Sequence, residues 1–220
     1  MEALKPQALL FDLDGTLFRT ESLLIPAYHQ TFDTLREEGL YAGETPPEER
    51  ILQSLGLLLD EIWERVIPEF SYDTRQRANE LLLMYQLEGL QQGEGELYPD
   101  VKNTLMGLHE RGYNLFVASN GLEGYVKGVI EANGLSPVFS GLYSAGEYQT
   151  ETKVELVRML MENHGLQSAW MVGDRSSDVE AGKGNQLFTV YCDYAGFGHS
   201  NESNGADWII TSFADLLTKL

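Results

Sequence analysis

From Asp100 onward, short apolar runs alternate with helical stretches, and this alternation leaves the chain few folds to choose from. The pattern predicts a helix over Asp100–Arg111, a strand over Tyr113–Ala118, a helix over Leu122–Asn133 and a weak strand over Val138–Ser144. A helix over Thr152–Asn163, a strand over Ala169–Val172, a short helix over Ser176–Lys183 and a strand over Phe188–Cys192 follow. Trp208–Ile210 reads as a last strand and Phe213–Lys219 as a last helix. Strands separated by helices are joined by right-handed crossovers and lie parallel.

One strand stands apart. Ala8–Phe11 is a continuous apolar run, as a strand buried on both faces requires, and it ends at Asp12-Leu13-Asp14-Gly15-Thr16. An all-helical block separates it from the alternating part. Leu23, Leu24, Ala27, Tyr28, Thr31, Phe32 and Leu35 recur at helical spacing; further helical stretches run over Pro46–Leu55, Asp60–Ile67 and Tyr72–Gln92, and Gly93–Glu96 reads as a linker. Residues 20–95 are therefore expected to be an insert in an α/β core made of 1–19 and 96–220. Trp63, Tyr72 and Tyr85 are expected to pack the insert's helices. Arg19 is expected to be solvated, and no role is expected for His29, His109, His164 or His199.

Charge narrows the partners. The 220 residues carry a net −19, and the insert holds five arginines, no lysine and fifteen acidic residues. Such a chain is not expected to bind nucleic acid or a membrane surface, both polyanionic. Cys192 is the single cysteine, which excludes an internal disulfide framework and fits a reducing cytoplasm. Met1–Pro6 lacks a signal pattern. Oligomeric state is left open between monomer and dimer.

In an open parallel sheet, ligands bind beyond the carboxyl ends of the strands. At these ends the sequence sets Asp12 and Asp14, then Ser119, then Asp174 with Asp178 four residues on, and Lys153 starts a helix between the last two. Carboxylates gathered from two strands suit a hard cation such as Mg²⁺, which takes oxygen ligands and is completed by substrate phosphate. Beside that cation a carboxylate can attack phosphorus, a second carboxyl can move the proton, and Ser119 and Lys153 can hold phosphoryl oxygens.

These residues resemble, in order, the four motifs of the haloacid dehalogenase (HAD) superfamily. Asp12-Leu13-Asp14-Gly15-Thr16 is similar to the first, Ser119 to the second, Lys153 to the third, and Gly173-Asp174-Arg175-Ser176-Ser177-Asp178 to the fourth. The layout is similar to the phosphoglycolate-phosphatase-like branch. The resemblance implies a Rossmann-like three-layer α/β core with a parallel sheet, and a small inserted all-α cap domain. It implies Asp12 as nucleophile, Asp14 as general acid/base, and Asp12, Asp14, Asp174 and Asp178 around Mg²⁺. Ser119, Asn120 and Lys153 would bind the phosphoryl group, with Lys153 also orienting Asp12. The third motif often reads Lys-Pro and here reads Lys153-Val154. An acid at position 14 implies phosphate chemistry rather than C–halogen cleavage. The expected activity is Mg²⁺-dependent hydrolysis of a small phosphomonoester through an aspartyl-phosphate. The alternatives are a sugar phosphomutase and a non-catalytic relative that binds a ligand or partner. Phosphoglycolate, a nucleotide monophosphate, pyrophosphate and a sugar phosphate all fit the core motifs.

Overall fold

The structure is a computed structural model and describes residues 5–196 and 201–220. Part of the N-terminal stretch, Gly198 and His199 thus lie outside the described residues. In chain order the elements are β1 (Ala8–Phe11), β2 (Phe18–Arg19), α1 (Glu21–Glu37), α2 (Glu48–Leu52), α3 (Leu59–Val66) and α4 (Tyr72–Gln91). Then come β3 (Glu96–Leu97), α5 (Val101–Glu110), β4 (Asn114–Ser119), α6 (Glu123–Ala132), β5 (Gly141–Ser144), α7 (Ala145–Tyr148) and α8 (Lys153–Asn163). Finally come β6 (Ala169–Gly173), α9 (Ser176–Gly184), β7 (Phe188–Cys192), β8 (Trp208–Ile210), a 3₁₀ turn (Phe213–Asp215) and α10 (Leu216–Lys219).

Six strands form one sheet in the order β5-β4-β1-β6-β7-β8, and every pairing is parallel. Side chains alternate across a strand. Leu9 and Phe11, Leu115 and Val117, and Trp170 and Val172 therefore share one apolar cluster, and Ala8, Leu10, Phe116, Ala118, Ala169 and Met171 share the other. Helices cover both faces, which gives the three-layer Rossmann-like architecture that the alternation implies. β1 lies between β4 and β6. The chain builds β4 and β5 on one side, then crosses back to lay down β6 on the other. The carboxyl ends of β4, β1 and β6 thus meet at a switch point, where an open α/β sheet has its crevice.

The helical block has an apolar cluster of its own, around Tyr28, Phe32, Trp63, Phe70 and Leu81. All seven residues spaced helically in α1 are buried. At the two expected ends of the insert, β2 and β3 pair antiparallel, Phe18 opposite Leu97 and Arg19 opposite Glu96. Arg19 is exposed and pairs with Glu96 and Glu21. Some expectations need correction. Pro46–Leu55 is helical only over Glu48–Leu52, because Pro47 has extended backbone before α2. The edge strand starts at Gly141, not Val138. Tyr72 does not pack the block: it opens α4 at 71% exposure, whereas Trp63 is fully buried and Tyr85 hydrogen-bonds Thr34.

Candidate active site

Asp12 follows β1 directly and is buried. Its Oδ1 accepts an ion pair from Lys153 Nζ at 2.7 Å. The same Nζ donates to Asp178 Oδ1 at 2.6 Å. Lys153 reaches there because Thr152 caps α8, its hydroxyl accepting from the Glu155 N–H. The first side chain of that helix is thereby aimed under the sheet edge. Asp178 is held from its other side, since Oδ2 accepts from the Arg175 N–H at 2.9 Å. Asp174, at the tip of β6, accepts from Thr16 Oγ1 at 3.0 Å and lies 3.5 Å from Arg175 Nε. One oxygen each from Asp12, Asp174 and Asp178 lie within 4.8 Å of one another.

Two glycines make room for this cluster. At Gly15, with φ +79°, an added Cβ would stand 2.3 Å from Asp174 Oδ2. At Gly173 an added Cβ would stand 2.1 Å from Asp178 Cγ. Neither position tolerates a side chain unless a carboxylate moves.

Burial pushes the Asp12, Asp174 and Asp178 carboxyls above the ordinary aspartate value, Asp178 to about 6. Like charge adds to the rise at Asp174, through Asp12 and Asp178. Lys153 opposes it at Asp12 and Asp178. Burial disfavours the Lys153 charge in turn, and the two carboxylates outweigh that and hold its pKa above the lysine norm. One lysine thus bridges two of three clustered acids. Asp12 Oδ2 is buried with no hydrogen-bond partner among the described residues, a costly state for a carboxylate oxygen. A bare oxygen, an all-oxygen donor set and surplus negative charge together fit a hard divalent cation such as Mg²⁺.

Asp14 has a different environment. It is partly buried, and its Oδ1 accepts from Thr20 Oγ1 and from the Tyr125 hydroxyl, each at 2.5 Å. Burial raises its pKa against those two donors. Tyr125 is buried beside that carboxylate, so its own pKa rises well above normal and it stays a donor. An acid poised upward in this way suits proton transfer.

A cleft opens above these groups, lined by Asp12, Asp14, Ser119 and Asn120 on the core side and by α4 and the α2–α3 segment opposite. Ser119 Oγ is buried at the tip of β4 and accepts from the Gly121 N–H at 3.1 Å. Asn120, expected among the phosphate ligands, donates its NH₂ to the Gly56 carbonyl at 2.8 Å and so ties the core to the helical block. Asp12, Asp14, Asp174, Asp178, Ser119 and Lys153 are all brought to the switch point, though Lys153 and Asp178 sit beneath the cleft. Sequence reasoning missed Thr20 and Tyr125. Thr16 stood inside the first motif and was legible as part of it. Tyr125 carried no signal, because only the docking of α6 against the β1 loop brings it to Asp14.

Fold and site together define a class: a three-layer α/β protein with an acidic cleft at the switch point of its sheet. Residues 9–191 match the haloacid dehalogenase-like hydrolase family, and the chain belongs to it. It is 28% identical to a phosphoglycolate phosphatase from Vibrio vulnificus, over 95% of this chain and 93% of the relative. It is 25% identical to the pyrophosphatase PpaX of Listeria monocytogenes, over 97% and 95%. Its fold superposes on the crystal structure of CbbY from Rhodobacter sphaeroides in complex with phosphate, with a TM-score of 0.84 at 21% identity, covering 98% of this chain and 99% of that one.

Proposed function

We propose that this chain is a Mg²⁺-dependent phosphatase that hydrolyses a small phosphomonoester through an aspartyl-phosphate. One observation carries the reading: two acids held by different partners share a single turn over one cleft. Asp12 has one oxygen held by Lys153 and the other bare. Asp14 has a raised pKa and two hydroxyl donors. Asp12, Asp174 and Asp178, with the Asp14 backbone carbonyl, would hold the cation. The cation would offset the charge that keeps a phosphate dianion away from carboxylates.

The Asp12 carboxylate attacks phosphorus, an Asp12 O–P bond forms and the ester O–P bond breaks. Asp14 gives its proton to the leaving oxygen. It then takes a proton from the water that attacks the aspartyl-phosphate, which frees inorganic phosphate and restores both acids. Lys153 orients Asp12 and favours its ionised form against the burial that opposes it. Ser119 and Lys153 take phosphoryl oxygens, and Asn120 joins them when the Gly56 tether releases. The 20–95 block acts as a cap over the core of 1–19 and 96–220, excluding bulk water from the first step. The partner is a small phosphorylated metabolite. No helix among the described residues is long and apolar enough to cross a membrane, and the buried free thiol of Cys192 fits a cytoplasmic setting.

A mutase needs a second phosphate site on the cap, and no arginine or lysine among the described residues lines this cleft. The deciding experiment is phosphate release across a panel of monoesters, with and without Mg²⁺, beside Asp12→Asn. Release is expected to need Mg²⁺ and to fall by at least about 10³-fold in the variant. Full activity of Asp12→Asn would overturn the mechanism. No Mg²⁺ binding at millimolar concentration would favour a non-catalytic binding role.

A further inference from the structure

Among the described residues, no charged side chain lines the cap side of the cleft. Leu24, Ile51, Leu55, Leu57, Leu82 and Leu83 line it. The cap's arginines are engaged elsewhere. Arg36 bonds Asp33 and Thr45, Arg50 the Val66 carbonyl, Arg75 Glu64 and Arg77 Glu38 and Glu80. Arg65 is exposed. Arg175 packs beside Gly56, and its guanidinium is directed to Asp174 and Glu202.

Two amides interrupt the apolar lining. Asn79, Leu82, Leu83 and Gln86 fall at i, i+3, i+4 and i+7 along α4, so one face of that helix looks into the cleft. Gln86 is only 7% exposed, and its side chain makes no hydrogen bond to any described residue. It lines the cleft with an amide that has no hydrogen-bond partner among the described residues. Asn79 is fixed from behind by the Trp63 indole N–H, at 2.5 Å. An indole can only donate, so the atom it meets must be the amide oxygen. The Asn79 NH₂ is thereby left for the cleft.

Building on the phosphatase reading, we propose that the alcohol released from the phosphate is uncharged, with an apolar body and hydrogen-bonding groups read by Asn79 and Gln86. A carboxylate or second phosphate on that alcohol would be buried against leucines with no counter-charge. Glycolate and inorganic phosphate, the leaving groups of phosphoglycolate and pyrophosphate, are both anionic. The alcohol site of this chain therefore differs in chemistry from what the names of its relatives call for. Asn79 and Gln86 act as specificity-determining residues.

The test compares kcat/KM of the Mg²⁺-loaded protein for four compounds: phenyl phosphate, a pyrimidine nucleoside 5′-monophosphate, phosphoglycolate and pyrophosphate. The two neutral-alcohol esters are expected to exceed the anionic pair by at least about 100-fold. Gln86→Leu is expected to raise KM for the nucleoside ester about tenfold, with a smaller rise for phenyl phosphate and a modest change in kcat. Leu82→Arg is expected to raise turnover of phosphoglycolate. Binding of the same compounds to Asp12→Asn, followed by calorimetry, gives a readout without turnover and should show the same order. Mg²⁺-dependent release that favours phosphoglycolate or pyrophosphate and is lost in Asp12→Asn would overturn this inference and leave the phosphatase reading standing. Absence of release from every compound would overturn the phosphatase reading. Binding would then decide this inference: preference for the neutral esters sustains it, and equal or reversed preference overturns it.

Discussion

At and beneath the floor of the cleft, three buried aspartates cluster and one lysine bridges two of them. On its roof, leucines and two isoleucines surround two amides. Both regions border one cleft, yet their energies have different origins. The floor concentrates charge that the fold only partly neutralises, so it waits for a cation and a phosphoryl group. The roof removes charge, so it contributes apolar burial and a few neutral hydrogen bonds. The comparison teaches that one cleft divides its work: the floor selects for phosphate, and the roof selects for whatever the phosphate is attached to.

Four perturbations sharpen or break that contrast. The largest effect is expected at Lys153→Met, which strips the floor of its cation. Removing one partner of a buried ion pair costs about 3 kcal/mol or more, and chemical denaturation with EDTA present would measure it. Mg²⁺ should recover part of the loss; a variant as stable as the parent without metal would break the account of the floor.

The second concerns pH. Carboxyls whose folded pKa is raised keep protons that the unfolded chain has released, so stability falls as pH rises through the interval. For Asp178 that interval runs from about 4, the unfolded value, to about 6. Melting temperature without metal should therefore drop across this window, and Mg²⁺ should flatten the drop. A metal-free protein that gains stability over the same window would contradict the charge crowding.

The third acts on the roof. Trp63→Phe removes the donor to Asn79 and leaves a void among Phe32 and Phe70, at about 2 kcal/mol. No titrating group is involved, so the loss should be equal with EDTA and with Mg²⁺. Dependence on metal would show that floor and roof are coupled.

The smallest effect is expected at Lys183→Ala. Lys183 stands 2.6 Å from Asp207, the same separation as Lys153 from Asp178, but its side chain is 42% exposed rather than 2%. Screened by water, the pair should be worth less than about 1 kcal/mol, and its loss should vanish in high salt. Identical distances with unlike burial make this the control for Lys153.

The sheet and much of the site were legible in the sequence because burial leaves a periodic trace. β1, β4 and β6 are covered on both faces, so they read as unbroken apolar runs, and their polar tips mark where those runs meet solvent. Helix α1 was legible from seven residues that all face inward. Thr16 and Gly15 were carried by the first motif. The two-residue strands β2 and β3 and the four-residue α7 were not. They are too short for any periodicity and exist because distant backbone or a capping Ser144 hydroxyl supports them. Tyr72 read as a packing aromatic, but it sits at the first position of α4, where its ring reaches solvent instead of the block's core.

By itself the sequence determined the parallel α/β framework, the helical interruption after the first strand and the acids at the strand tips. Those properties are local: hydrophobic period, turn chemistry and residue type along a short stretch of chain. The tertiary structure alone decided that Lys153 bridges Asp12 and Asp178, that Tyr125 meets Asp14, and that Asn79 and Gln86 face the cleft among leucines. Each of these depends on which faces of distant helices dock together, and that docking is set by packing among side chains remote in the chain, which no local pattern encodes.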